Sequence, residues 1–200
     1  MEITFSTILF TDIKGSTKMY EALGDTKAFH LVREHFRILF RHIQAHDGIV
    51  IKTIGDAVMG VFVNEQKALH AAIESQLELQ RFYKDKAASE KIEVKIGLHS
   101  GPAIVVTLNN RLDYFGSTVN IAARIQGLAR PNEILFSAPI YNNIENRRLI
   151  KKYTPTVFRK LVNLRGLKDN YEIFSIRCTE CTSIETLEST NEVSPIALNA

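Results

Sequence analysis

The apolar positions of this chain change period several times, and each change marks an element. Ile3 to Thr11 is dense in β-branched and aromatic residues and reads as a strand. Further on, Ala28, Phe29, Leu31, Val32, Phe36, Leu39, Phe40 and Ile43 keep the three-and-four spacing of a core-facing helix, with Asp25-Thr26 as its cap and Asp47-Gly48 as its stop. Ile49 to Ile54 and Ala57 to Val63 are apolar runs around Gly55-Asp56, which reads as a tight hairpin. A second helix follows, with Ala68, Leu69, Ala72, Ile73, Leu77, Leu79 and Phe82 as its apolar set. Next come a strand pair on either side of His99-Ser100-Gly101, a helix from Ser117 to about Leu128, a short strand at Ile134 to Phe136, and a final pair ending at Tyr171 to Ile176. Strand, helix, strand, strand, helix, strand is the split βαβ order of a ferredoxin-like α+β fold, an antiparallel sheet here extended by added strands and helices. A doubly wound parallel sheet needs a helix between each pair of strands, and the hairpin argues against it.

Composition adds the domain organisation. Two hundred residues, 45% of them hydrophobic, can bury one sizeable core. Residues 1–177 read as one domain, and 178–200, rich in Ser, Thr, Glu and Asn, as a disordered tail. Cys178 and Cys181 are a single Cys-x-x-Cys pair without the second pair of a zinc ribbon, so they read as reduced tail thiols. No apolar stretch reaches the roughly 18 residues of a membrane span, and the N-terminus has no basic region followed by a long apolar segment, so this segment is expected to be cytoplasmic, without membrane contact of its own. The net charge of +3 comes from scattered Lys and Arg without a basic block. That charge fits a small anionic substrate as well as any nucleic acid, and the expectation of no nucleic acid partner rests on the family resemblance given below.

Two aspartates stand where packing does not call for them. Phe10-Thr11-Asp12-Ile13-Lys14-Gly15-Ser16-Thr17 ends the first strand, and Lys52-Thr53-Ile54-Gly55-Asp56-Ala57-Val58-Met59-Gly60 spans the hairpin tip. Mg²⁺ binds through one or two carboxylates plus substrate phosphates, so the pair points to metal-assisted chemistry on a phosphate ester. The chain has no Gly-x-Gly-x-x-Gly and no P-loop, which leaves metals and helix termini to hold a nucleotide. The Gly15-Ser16-Thr17 turn opens a helix whose free N–H groups suit phosphates. Lys52 alternates onto the same side as Val50 and Ile54, where an ammonium needs a partner. Asn120 and Arg124, four apart on a helix, project from one face.

These segments, with Lys95-Ile96-Gly97-Leu98-His99-Ser100-Gly101 and Leu112-Asp113-Tyr114-Phe115-Gly116-Ser117-Thr118-Val119-Asn120-Ile121-Ala122-Ala123-Arg124, resemble in order and spacing the catalytic domain of class III nucleotidyl cyclases, from about Ile3 to about Ile176. The resemblance implies an adenylate cyclase that makes 3′,5′-cyclic AMP and pyrophosphate from ATP. It implies two divalent ions, Mg²⁺ or Mn²⁺, held by Asp12, Asp56 and the backbone carbonyl of Ile13, one activating the ribose 3′-hydroxyl and the other steadying the triphosphate. Gly15, Ser16 and Thr17 fall to the β and γ phosphates by the same likeness. Lys52 and Asp113 become the base readers: the lysine donates to adenine N1 and the aspartate accepts from the exocyclic amine, a pattern that conflicts with guanine. Asn120 orients the ribose, and Arg124 meets the charge that develops on the α-phosphate. Lys95 and Arg165 match phosphate-binding positions with the basic residue exchanged, arginine being usual at the first and lysine at the second. In this family the metal aspartates come from one protomer and the base readers, Asn and Arg from the other, which implies a homodimer with sites at the interface. Members commonly carry a fused or upstream regulatory domain. Degenerate, non-catalytic members lose a metal aspartate or the arginine, and both are kept here.

The histidines stay outside this set. His42 and His46 have a zinc-chelating spacing but no third ligand nearby in sequence, so they read as surface residues of the long helix. His99 and Ser100 are neighbours on a strand and point to opposite faces, which excludes a nucleophile-base contact.

Overall fold

The computed structural model describes residues 2–154, 156–167, 169–178 and 194–197. The elements run β1 (Glu2–Ile13), α1 (Ser16–Leu23), α2 (Asp25–Ala45), β2 (Ile49–Ile54), β3 (Ala57–Phe62), α3 (Glu65–Tyr83), β4 (Val94–Leu108), β5 (Arg111–Phe115), α4 (Ser117–Leu128), β6 (Ile134–Ser137), α5 (Ala138–Asn142), α6 (Ile144–Lys151), β7 (Thr156–Asn163), β8 (Asn170–Ile176) and β9 (Ser194–Ala197). The first four strands lie in the order β2-β3-β1-β4, each pair antiparallel, which is the split βαβ arrangement. β6 joins β4 in parallel, β8, β7 and β9 extend the sheet beyond it, and β5 folds back on the end of β4.

Alternation along β1 assigns the two faces of the sheet. Leu9 and Ile13 pack with Val32, Ile38, Leu39, Leu69 and Ile73, under α2 and α3. Ile8 and Phe10 pack with Met59, Val61 and Ala122, under α4. Asp12 continues the α4 side.

β4 runs unbroken through His99-Ser100-Gly101, where a turn between two strands was expected. Its ladder with β1 extends from Val94 opposite Ile13 to Val105 opposite Glu2, so no residue is released to turn. The glycines there serve close approach. A Cβ on Gly97 would lie 2.3 Å from the backbone nitrogen of Gln126, and one on Gly101 would lie 2.8 Å from the Thr118 hydroxyl, both on α4. Gly24, at φ 76°, occupies the N-cap of α2, and Asp25, expected as the cap, is the first helical residue. Within the expected tail, Ser194–Ala197 pairs antiparallel with β7. Cys178 is a core residue, its thiol pushed up to about 12 by burial, and not a tail thiol. The rest of that tail, Cys181 included, lies outside the described residues. None of the described helices is long and apolar enough to cross a membrane.

Ser100 and His99 do face opposite ways: the Ser100 hydroxyl lies 2.9 Å from that of Thr7, and His99 Nδ1 lies 2.7 Å from the Ser137 hydroxyl. Burial lowers the His99 pKa to about 4. A folded-state pKa below the unfolded value means that the unfolded chain binds the extra proton first, so stability is complete above about pH 6.5 and declines as the pH falls towards 4. We expect His99 to remove about 2 kcal/mol of stability between pH 7 and pH 5. Urea titrations of the wild type and His99→Gln at both pH values check this: a loss of equal size in the variant would show that His99 is not its source.

Candidate active site

Asp12 is the last outward residue of β1 before the chain turns into α1. The β1–β3 ladder ends at Thr11 opposite Val58, so Asp12 stands just past the pairing, beside the β2–β3 turn that carries Asp56. That turn is formed by Gly55 at φ 63°. Asp56 Oδ2 is buried without a hydrogen-bond partner, an expensive condition for a carboxylate that a cation would relieve. Asp12 Oδ2 is held at 2.7 Å by the Lys95 ammonium, its cross-strand neighbour on β4. Two carboxylates, one of them meeting a cation already and the other unsatisfied, form a hard-oxygen donor set that fits Mg²⁺ or Mn²⁺. Ile13 is buried beside Asp12. Gly15, at φ 70°, precedes α1 and no side chain caps that helix, so the leading N–H groups of Ser16 and Thr17 are available to an anion.

Lys52 reaches Asp113 on β5, its Nζ lying 2.7 Å from both carboxylate oxygens. The strand does not present it by simple alternation. A bulge at Ile51 sets Val50 opposite Gly60 and Lys52 opposite Met59, so Lys52 leaves the face of Val50 and joins the α4 side. Val50 packs with the α2–α3 core and Ile51 with the α4-side cluster. Asp113 also accepts the Tyr114 N–H at 2.8 Å, and the Phe115 ring lies 5.8 Å from Lys52 Nζ. The pair keeps binding capacity: an ammonium has three N–H donors and a carboxylate about four acceptor sites. With Lys52 only partly buried, a ligand can approach both groups together.

On α4, Asn120 is exposed and Arg124 half-buried. The Arg124 guanidinium lies against Gly166 in the β7–β8 turn, where a Cβ would sit 3.5 Å from Nη2. Its Nη1 is buried and has no hydrogen-bond partner. Arg165, exposed, is the neighbour of Gly166 in that turn, so the two arginines belong to one end of the fold. No hydrogen bond or ion pair among the described residues joins Asn120 or Arg124 to Asp12 or Asp56. The chain thus pairs Asp12 with Lys95 next to the turn that carries Asp56, pairs Lys52 with Asp113, and sets Arg124 beside Gly166.

Sequence reasoning missed His35. It lies in the apolar stripe of α2, fully buried, and neither ring nitrogen has an aligned hydrogen-bond partner. Burial lowers its pKa to about 4, and the nearby Asp56 backbone and Asp12 carboxylate pull it back only in part. It is therefore a neutral group behind the aspartates. The signal was present in its three-residue spacing from Val32 and Ile38, which placed a polar ring among core positions.

Comparison with known proteins identifies the fold and the family. The chain is 30% identical over 185 residues to an adenylate cyclase of Anabaena cylindrica, covering 86% of this chain and 36% of that protein. It is 27% identical over 183 residues to a receptor-type guanylate cyclase of Caenorhabditis elegans, covering 86% and 18% respectively. The chain therefore spans about a third or less of the curated relatives it matches. Among solved structures, the guanylyl cyclase Cya2 superposes with a TM-score of 0.74 at 20% identity, over 90% of this chain and 95% of that one. Relatives of both base preferences match, and what they share is one catalytic domain. Its family model, the adenylate and guanylate cyclase catalytic domain, matches residues 2–178, and the chain belongs to that family.

Proposed function

We propose that this domain is an adenylate cyclase that converts ATP to 3′,5′-cyclic AMP and pyrophosphate at sites shared across a homodimer. The observation that carries the adenine reading is the Lys52–Asp113 pair, joined through both carboxylate oxygens and still open to a ligand. Its spare N–H meets the acceptor at adenine N1, and its spare lone pairs accept from the exocyclic amine. Guanine would set an N–H against the ammonium and an oxygen against the carboxylate, leaving both unpaired where the bound base covers them from water.

Asp12 and Asp56, with the Ile13 carbonyl, would hold the divalent ions, which supply the charge that lowers the pKa of the ribose 3′-hydroxyl and offsets that of the triphosphate. The chain's own groups do the rest. The N-terminus of α1 receives the β and γ phosphates. Lys95 is tied to Asp12 and becomes available to phosphate when that carboxylate is otherwise engaged. Asn120 orients the ribose, while Arg124, with Nη1 still unpartnered, faces the α-phosphate as the 3′ oxygen bonds to phosphorus and pyrophosphate leaves. Arg165, in the same turn as Gly166, adds positive charge to the triphosphate.

The homodimer reading is supported by two features. Among the described residues, no hydrogen bond or ion pair joins Arg124 to Asp12 or Asp56 within one chain. The β4–β5 hairpin also leaves Leu108, Leu112 and Phe115 exposed next to Asp113, an apolar surface suited to a partner.

Inverting the base readers tests the adenine reading. In Lys52→Glu/Asp113→Ser an acceptor faces the guanine N–H and a donor faces its oxygen. The ATP-to-GTP ratio of kcat/KM should fall by about a hundredfold or more relative to wild type. A ratio that stays put while both activities fall would make the pair a structural ion pair and leave the cyclase chemistry standing.

A further inference from the structure

His42, His46 and His70 converge on Glu74 at the α2–α3 contact, a place that the cyclase residues do not use. His42 lies in the last turn of α2 and His46, four residues on, is its C-cap, while His70 and Glu74 are one turn apart on α3. The helices run antiparallel here, since His42 contacts Glu78 while His46 contacts Glu74 and His70. The third ligand that the sequence did not reveal is thus supplied by another helix. The two α2 histidines are not surface residues either, being only 14% and 16% exposed.

The distances suit one small ion. Glu74 Oε2 lies 2.8 Å from His46 Nε2 and 3.4 Å from His42 Nδ1, and Glu74 Oε1 lies 3.2 Å from His70 Nε2. One ligand atom from each of His42, His46 and Glu74 lies within 4.8 Å of the others. Tetrahedral ligation at ordinary zinc bond lengths places ligand atoms ~3.3 Å apart, so small side-chain rotations suffice. A second layer is already built. His42 Nε2 lies 2.7 Å from Glu78, which also pairs with Arg41, and this contact turns Nδ1 towards Glu74. His70 Nε2 lies 3.0 Å from the Tyr153 hydroxyl. A carboxylate behind a ligating imidazole fixes its tautomer and raises its basicity.

We propose that His42, His46 and Glu74 bind a divalent transition-metal ion of the zinc class, with a fourth position open to His70 or water, and that the ion clamps α2 to α3. Imidazole-rich ligation selects such ions over Mg²⁺, whereas the all-oxygen set at Asp12 and Asp56 does not. Binding replaces the hydrogen bond between His46 and Glu74 with bonds from both groups to the ion.

Cobalt titration of the chelator-stripped full chain tests this. Wild type and Asp12→Asn/Asp56→Asn should each take up about one equivalent of Co²⁺ with the visible absorption of a four-coordinate site. Zn²⁺ at a hundredfold excess over its Kd should raise Tm by roughly 5–10 °C in both. His42→Gln/His46→Gln, checked for native circular dichroism, should lose the absorption and the Tm rise. Absence of both signals in wild type overturns the proposal, as does their persistence in that variant. Should that variant fail to fold, imidazole NMR on wild type decides: Zn²⁺ should shift the His42 and His46 resonances, and unchanged resonances at one bound equivalent would refute the site.

Discussion

Asp12→Asn and Asp56→Asn are each expected to lower cyclic-nucleotide formation by about a thousandfold or more while leaving the fold intact, because a neutral amide cannot replace the charge of a metal-binding carboxylate. Neither side chain holds the structure together. Asp56 Oδ2 has no internal partner to lose. Asp12 loses only its pair with Lys95, which is partly exposed and worth about 1 kcal/mol or less. Turnover measured beside circular dichroism and thermal melting separates the two roles. A variant that unfolds would make the carboxylate structural, and a folded variant of near wild-type activity would remove it from the metal site.

Mixing two inactive variants is expected to restore activity. Asp56→Ala and Arg124→Ala each disable both sites of their own homodimer if aspartate and arginine act from different chains. In the mixed dimer one site collects both lesions and the other has none. Equal, unbiased mixing puts half the dimers in that state, giving roughly a quarter of wild-type activity per total chain. Recovery should rise steeply with protein concentration if the dimer is weak. No recovery at high concentration, with mixed dimers confirmed by cross-linking, would require a complete site within one chain.

The split βαβ core was legible because its signals are local: short apolar runs rich in β-branched residues, period-three-and-four stripes, and Gly55-Asp56 at a hairpin tip. α4 was read at its observed bounds, Ser117 to Leu128. Errors arose where a residue's meaning depended on a distant neighbour. Gly101 looked like a turn glycine, but Thr118 on α4 is what requires it to lack a side chain. Lys52 was placed by alternation, which cannot foresee the bulge at Ile51. His42 and His46 lacked a visible third ligand because Glu74 is 28 residues from His46 and is brought up by α3. The short helices α5 and α6 were not read, being too brief to establish a period. Of the candidate site, the Lys52–Asp113 contact was anticipated, while the hold of Lys95 on Asp12 and the neutral His35 behind the aspartates were not.

Adenine selection by a working cyclase is tested most directly by giving the purified chain equimolar ATP and GTP with Mn²⁺ and following both cyclic products by mass spectrometry. The expected result is 3′,5′-cyclic AMP accumulating in step with pyrophosphate, with cyclic GMP slower by about a hundredfold or more. GTP consumed as fast as ATP would contradict the base assignment, and no cyclic product from either nucleotide, at protein concentrations where the dimer is populated, would contradict the enzyme.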